Sequence, residues 1–219
     1  MSRPSLRRAV AVLGLAGSLA VALAAPASAL QPTPPSTPPT TVPARPTIAQ
    51  VLRTYATTFD TNPNDFNVAA HLVAQYPDLM AAASKPGSNT VFMPTDYAFR
   101  RAVRTITGKL VIAEADLVKT VNLLGKDMVG RLIRYHVLKG VKLVYGQALQ
   151  SNGKAFTTFE GGTLKVSVAK VPGLKVQRPF VFLVDKATKR PDAKITNGNL
   201  MASNGVIHVI DQVLLPIEL

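Results

Sequence analysis

Three histidines, His71, His136 and His208, are the side chains here best suited to moving protons or holding a metal near neutral pH. Their spacing assembles no such site. No two stand four apart on a predicted helix, and the chain has no cysteine to complete a zinc set. Ser84, Ser88, Ser151, Ser167 and Ser203 lack the strand–turn–helix context of a nucleophile elbow. Neither a glycine-rich phosphate loop nor a dinucleotide fingerprint occurs. A Ser-His-Asp set brought together by folding is defined by geometry rather than chain order, and stands as a minor alternative. The expectation is no catalytic residue, no cofactor and no metal ligand: a protein that binds and is not an enzyme.

Each remaining candidate has a structural reading beside the chemical one. His208 shares a face with Val206 and Ile210, so it reads as a neutral core histidine held by hydrogen bonds, with a ligand role as the alternative. Asp211 lies on the opposite face and is expected to bond a backbone group or a basic side chain. Asp96 reads as a helix cap rather than a catalytic acid. Tyr135-His136 has two readings, a surface contact or an inward-packed pair.

Two stretches must position these residues. Asn204 to Pro216, NGVIHVIDQVLLP, predicts a type I′ turn at Asn204-Gly205 followed by a strand. Val206, His208, Ile210 and Leu214 fall on one face, and Ile207, Val209, Val213 and Leu215 on the other. Apolar residues on both faces predict a strand covered on both sides, ended by Pro216. Thr90 to Phe99, TVFMPTDYAF, predicts its partner: strand through Phe92, a stop at Pro94, then a helix capped by Thr95 or Asp96 and carrying Phe99 inward.

TVFMPTDYAF resembles the first sequence box of the fasciclin domain family, and NGVIHVIDQVLLP resembles its second. Tyr135-His136-Val137 between them is similar to the family's Tyr-His motif. The three stand in the family's order, and the resemblance covers roughly Ile48 to Leu219. Met93 departs from it, since the family more often has a small residue there; methionine is suited to filling an irregular gap. The resemblance implies an α+β fold, a β-sandwich or wedge of about seven strands with several α-helices packed on one side. It also implies an adhesion or interaction module whose Tyr-His region meets integrin-type receptors. On that reading the contact surface is Tyr135 and His136 with nearby Arg131, Arg134, Lys139 and Lys142, while Thr90, Phe92, Pro94, Thr95, Asp96, Phe99, Asn204, Gly205, His208, Asp211 and Pro216 serve the fold.

The rest of the chain supplies an address, a spacer and a core. Residues 1–29 read as a signal peptide: Arg3, Arg7 and Arg8, an apolar run, then Ala27-Ser28-Ala29; an uncleaved anchor is the alternative. Residues 30–46 read as a proline- and threonine-rich linker in extended polyproline II, either a stiff spacer or a solvated tail. Residues 47–219 are expected to form one domain. Without cysteine its stability must come from packing alone. Apolar residues at three- and four-residue steps predict helices over 47–59, 77–83, 114–124 and 126–134, and one capped by Asp65 that follows it. Strands are predicted over 135–138, 157–159, 163–169 and 180–184, the last apolar throughout and therefore central. Helices first and strands later argue against a doubly wound parallel sheet.

Charge bounds the partners. The formal net charge is +13, from 25 Lys and Arg against 12 Asp and Glu. Between Arg100 and Lys142 there are ten basic residues and three acidic ones. Such a field attracts polyanions. Expected partners are an extracellular or cell-envelope protein or an acidic polysaccharide, with no specific nucleic acid and no membrane span once the leader is removed. The chain is expected to be a monomer and an exported, bacterial fasciclin-like protein, secreted or kept at the cell surface or wall. The rival is a small-ligand or lipid carrier using a groove between helices and sheet.

Overall fold

The computed structural model describes residues 44–170, 173 and 178–218. The predicted leader and most of the predicted linker lie outside them. Among the described residues there are helices α1 (Ile48–Tyr55), α2 (Asn67–Ala74), α3 (Pro77–Ser84), α4 (Asp96–Thr107), α5 (Glu114–Asn122), α6 (Lys126–Tyr135) and α7 (Tyr145–Leu149). The strands are β1 (Asn89–Pro94), β2 (Val137–Leu138), β3 (Ala155–Thr157), β4 (Thr163–Lys170), β5 (Pro179–Val184), β6 (Ala193–Ala202) and β7 (Gly205–Ile210). The fold is α+β, as the sequence implied.

The strands form one mixed sheet in the order β2-β1-β7-β6-β5-β4-β3. β1 and β7 run parallel from Asn89↔Gly205 to Pro94↔Ile210, and the other neighbours are antiparallel. The sheet curls until its ends nearly meet, where Phe159 N–H donates to the Val137 carbonyl at 2.7 Å. Curling creates two cores. Inside the curl lie Phe92, Tyr135, Leu164, Val181, Leu183, Ile210 and Leu214. Between the outer face and the helices lie Leu52, Leu72, Met93, Phe99, Leu132, Ile207, Val209, Val213 and Leu215. All six residues of β7 are buried, with the facing that its sequence predicted.

Gly205 serves a different purpose from the one predicted. The hairpin pairs Ala202 with Gly205, so Ser203 and Asn204 make the turn. Neither Asn204 nor Gly205 has a positive φ, so the turn is not type I′. Gly205 is needed for close approach: a Cβ there would stand 2.4 Å from the Asn89 carbonyl oxygen and 2.8 Å from Ile48 Cδ1. Asn204, itself buried, ties three segments together. Its Oδ1 accepts from Ile48 N–H at 2.9 Å, and its Nδ2 donates to the Ala83 and Lys85 carbonyls at 2.7 and 2.9 Å.

Three further expectations are corrected. Tyr135 closes α6 rather than opening a strand. Asp65 does not cap α2; Asp96 does, accepting from Asn67 N–H at 3.2 Å and Val68 N–H at 2.9 Å, while Thr95 caps α4. β5 buries only Val181 and Leu183 fully, and Phe180 and Phe182, on the alternate positions, are half-buried.

Gly205→Ala is expected to cost about 1–3 kcal/mol, the usual range for overpacking. In a chain of this size that lowers Tm by roughly 2–12 °C in a thermal melt. An unchanged Tm would contradict the close approach to Asn89.

Candidate functional site

The region that the sequence nominated is built by α6 and the turn after it. One stripe of α6, Val129, Leu132 and Tyr135, is buried, which leaves Arg131 and Arg134 on the outer side. Gly130 allows this helix close to α3: a Cβ there would stand 3.0 Å from Tyr76 Cε1. The helix stops at His136, and the chain turns into β2.

Tyr135 and His136 both point inward. Tyr135 is fully buried, and its hydroxyl donates to the Thr163 carbonyl at 2.7 Å. Burial pushes its phenol up to about 12, with the charges of Asp185 and Glu160 adding to the effect, so it stays protonated. His136 is 6% exposed. Its Nε2 accepts from Leu214 N–H at 2.9 Å, which places the proton on Nδ1, and Nδ1 donates to the Leu132 carbonyl at 2.8 Å. Burial lowers its pKa to about 4, so the ring is neutral. Neither side chain offers a surface to a partner. The pair clamps α6 onto the segment after β7, and the contact role predicted for Tyr135 and His136 is corrected accordingly.

The four predicted cations differ among themselves. Arg131 donates to Glu160 Oε1 through Nε and Nη2, at 3.0 and 2.9 Å. Arg134 donates to Asp78 Oδ2 at 2.6 Å, and its guanidinium lies over the Tyr76 ring. That contact holds the Asp78 carboxyl below its ordinary range. Lys139 is exposed, with Nζ 4.8 Å from the centre of the Phe159 ring. Lys142 is exposed too. Arg131 and Lys139 thus converge on the Phe159–Glu160 turn.

His208 donates from Nε2 to the Leu143 carbonyl at 2.7 Å, and its Nδ1 accepts from Asn199 N–H at 3.2 Å. Burial lowers its pKa as well. Asn199 reaches this position with φ 65 inside an irregular part of β6. Asp211 Oδ1 accepts from Lys194 N–H at 2.8 Å. Thr90 accepts from Leu143 N–H at 2.8 Å and donates to the Val141 carbonyl at 2.7 Å, partners that the chain alone did not identify.

A cavity of about 520 Å³ opens between the helices and β1. Its wall is apolar, including Leu72, Leu79, Val91, Met93, Ile133 and Phe159, while Asp78, Lys85 and Lys139 also border it. Such a volume falls in the range of small-molecule sites. The sequence stripes that line it read equally well as core, because periodicity shows that a face is apolar but not whether a neighbour fills it.

A family model described as the fasciclin domain matches residues 64–216. The chain is 35% identical over 139 residues to Protein sll1483 of Synechocystis sp. (strain ATCC 27184 / PCC 6803 / Kazusa), covering 64% of this chain and 61% of that protein. It is 27% identical over 143 residues to periostin of Homo sapiens, covering 64% of this chain and 13% of periostin. It therefore spans less than two thirds of either relative. The solved structure of a FAS1 domain pair from the insect cell adhesion molecule fasciclin I aligns over 76% of this chain and 45% of that chain, with 13% identity and a TM-score of 0.40.

The neutral His136 sets a pH dependence. A folded pKa depressed from 6.5 to about 4 gives stability that is complete above pH 6.5 and lost as pH falls towards 4. That gap corresponds to ~3 kcal/mol, with His208 acting in the same direction. His136→Gln should be less stable at neutral pH and lose less across that window, as read from urea midpoints. A wild type that loses no more than the variant would contradict the assignment.

Proposed function

The chain belongs to the fasciclin domain family, and on that premise we propose that it is an exported interaction module that holds envelope or extracellular partners non-covalently through its basic exterior. The observation that supports this reading is the exposure of Lys139 and Lys142 in the chain just after the buried Tyr135–His136 pair, with Arg131 and Arg134 on the outer side of α6. A fixed scaffold lowers the ordering cost that each contact must overcome. The partner class that fits is an acidic polymer, a polysaccharide or the acidic face of an envelope protein, drawn by a chain of net charge +13. Residues 1–29 serve as the export leader and residues 30–46 as the spacer, with residues 47–219 as the interacting domain. No described helix is long and apolar enough to cross a membrane.

The cavity favours a second reading, carriage of a small apolar ligand. It lies between helices and sheet, and Lys85 and Lys139 beside it would suit an anionic head group. Both readings use Lys139, so their tests must differ.

Retention on an immobilised acidic polysaccharide should fall steeply as salt is raised from about 0.05 to 0.5 M, because exposed charges are screened over a few ångströms at the upper limit. Lys139→Glu with Lys142→Glu should elute at clearly lower salt. These two are the clean substitutions, since reversing Arg131 or Arg134 would also strand Glu160 or Asp78. Retention that ignores both salt and substitution would contradict the electrostatic mechanism. For the cavity, the chain purified from its own cells should release a bound lipid on organic extraction and take up an environment-sensitive fatty-acid probe saturably. Protein that carries no lipid and takes up no probe would remove the carrier reading.

A further inference from the structure

In a strongly basic chain, four of its 12 carboxylates gather at one end of the helical layer: Asp60, Asp65, Asp96 and Glu114. Asp60 and Asp65 lie on the segment between α1 and α2, Asp96 opens α4 and Glu114 opens α5. One oxygen from each of Asp60, Asp65 and Glu114 lies within 4.8 Å of the other two. The Glu114 side chain is wholly buried. Its Oε2 accepts from Asp60 N–H at 2.9 Å and from Asn67 Nδ2 at 3.4 Å. Its Oε1 accepts nothing, and neither does buried Asp65 Oδ1. Arg100 Nη2 stands 3.8 Å from Glu114 Oε1, beyond hydrogen-bond range. That ion pair leaves the buried carboxylate oxygen without a hydrogen bond, which is costly.

We propose that Asp60, Asp65 and Glu114 form a calcium site that ties the α1–α2 segment to the start of α5. All available donors are hard oxygens, which suits calcium over a softer metal. Calcium holds oxygens at about 2.3–2.6 Å in a flexible shell, and three oxygens no more than 4.8 Å from one another lie within reach of one such ion. Asp60, Asn62 and Asn64 place oxygen side chains at alternate positions, as the first half of a calcium loop does, and a buried glutamate from another element supplies what such a loop takes from its end. The segment is also fixed in place. Asp96 N–H donates to the Asp65 carbonyl at 3.0 Å and Tyr97 N–H to the Pro63 carbonyl at 2.9 Å.

The test is calorimetric titration of the chelator-treated full chain with calcium chloride, with a thermal melt beside it. One saturable site is expected, with Kd at or below about 1 mM, the range of extracellular calcium modules. Tm should rise with calcium, and magnesium should bind at least about tenfold more weakly. Glu114→Gln should abolish binding. Should that variant fold poorly, Asp60→Asn, at an exposed position, should still weaken binding about tenfold by loss of one ligand charge. No saturable heat and no Tm change up to about 10 mM calcium would overturn the proposal. So would equal binding of magnesium, or an Asp60→Asn variant that titrates as wild type. A water bridging Glu114 and Asp65 would give that null result. The outcome is independent of the basic face.

Discussion

The parallel pairing of β1 with β7 is the constraint on which the rest of the molecule depends. It joins segments more than a hundred residues apart, so the chain between them must close a large loop before the pairing is rewarded. The return comes from burial on both faces. Fully burying a Val or Ile side chain contributes about 1.5–3 kcal/mol, and Val206, Ile207 and Ile210 are each fully enclosed. Close backbone approach at Asn89 and Gly205 follows from the same pairing, and it explains why a glycine starts β7.

Enclosing a strand on both sides traps polar groups, and the fold satisfies them with long-range partners. His136 receives Leu214 N–H, His208 meets the Leu143 carbonyl, Thr90 bridges Val141 and Leu143, and Asn204 joins α1 to the end of α3. The segment after β7 belongs to no strand, yet it is fixed by His136 and by Asp185, whose Oδ2 accepts from Leu215 N–H at 2.7 Å. Such bonds contribute modest net stability when made and cost more when broken, so they select one arrangement over near alternatives. The same logic accounts for the neutral histidines. An imidazole that carries a proton on Nε2 could not accept from Leu214, and a charged one could not remain in this interior.

What could be read from the chain was what local periodicity encodes. The two faces of β7 were legible because side chains alternate along a strand, and the stripes of α1, α2 and α6 because helical neighbours recur every three to four residues. A cap on α4 at Thr95 or Asp96 followed from their position before an apolar run, and Thr95 is the one that fills it. Features set by distant partners were not legible. Asn204-Gly205 carries the local mark of a tight turn, yet Gly205 is demanded by Asn89 across the sheet. Asp96 stands at the start of one helix and caps another. The cavity beside Met93 and the convergence of Asp60, Asp65 and Glu114 depend on how elements meet, which no local pattern records.

The central claim is that β1, β7 and the clamp at His136 form the last part of the molecule to open. Native-state hydrogen exchange, resolved by residue, tests it most directly. The amides of Val91 to Met93 and Val206 to Ile210 should exchange only through global unfolding. Leu214 N–H, outside any strand, should share their protection because His136 Nε2 accepts it. Exchange of β7 or Leu214 as fast as that of the β3–β4 edge would contradict the account.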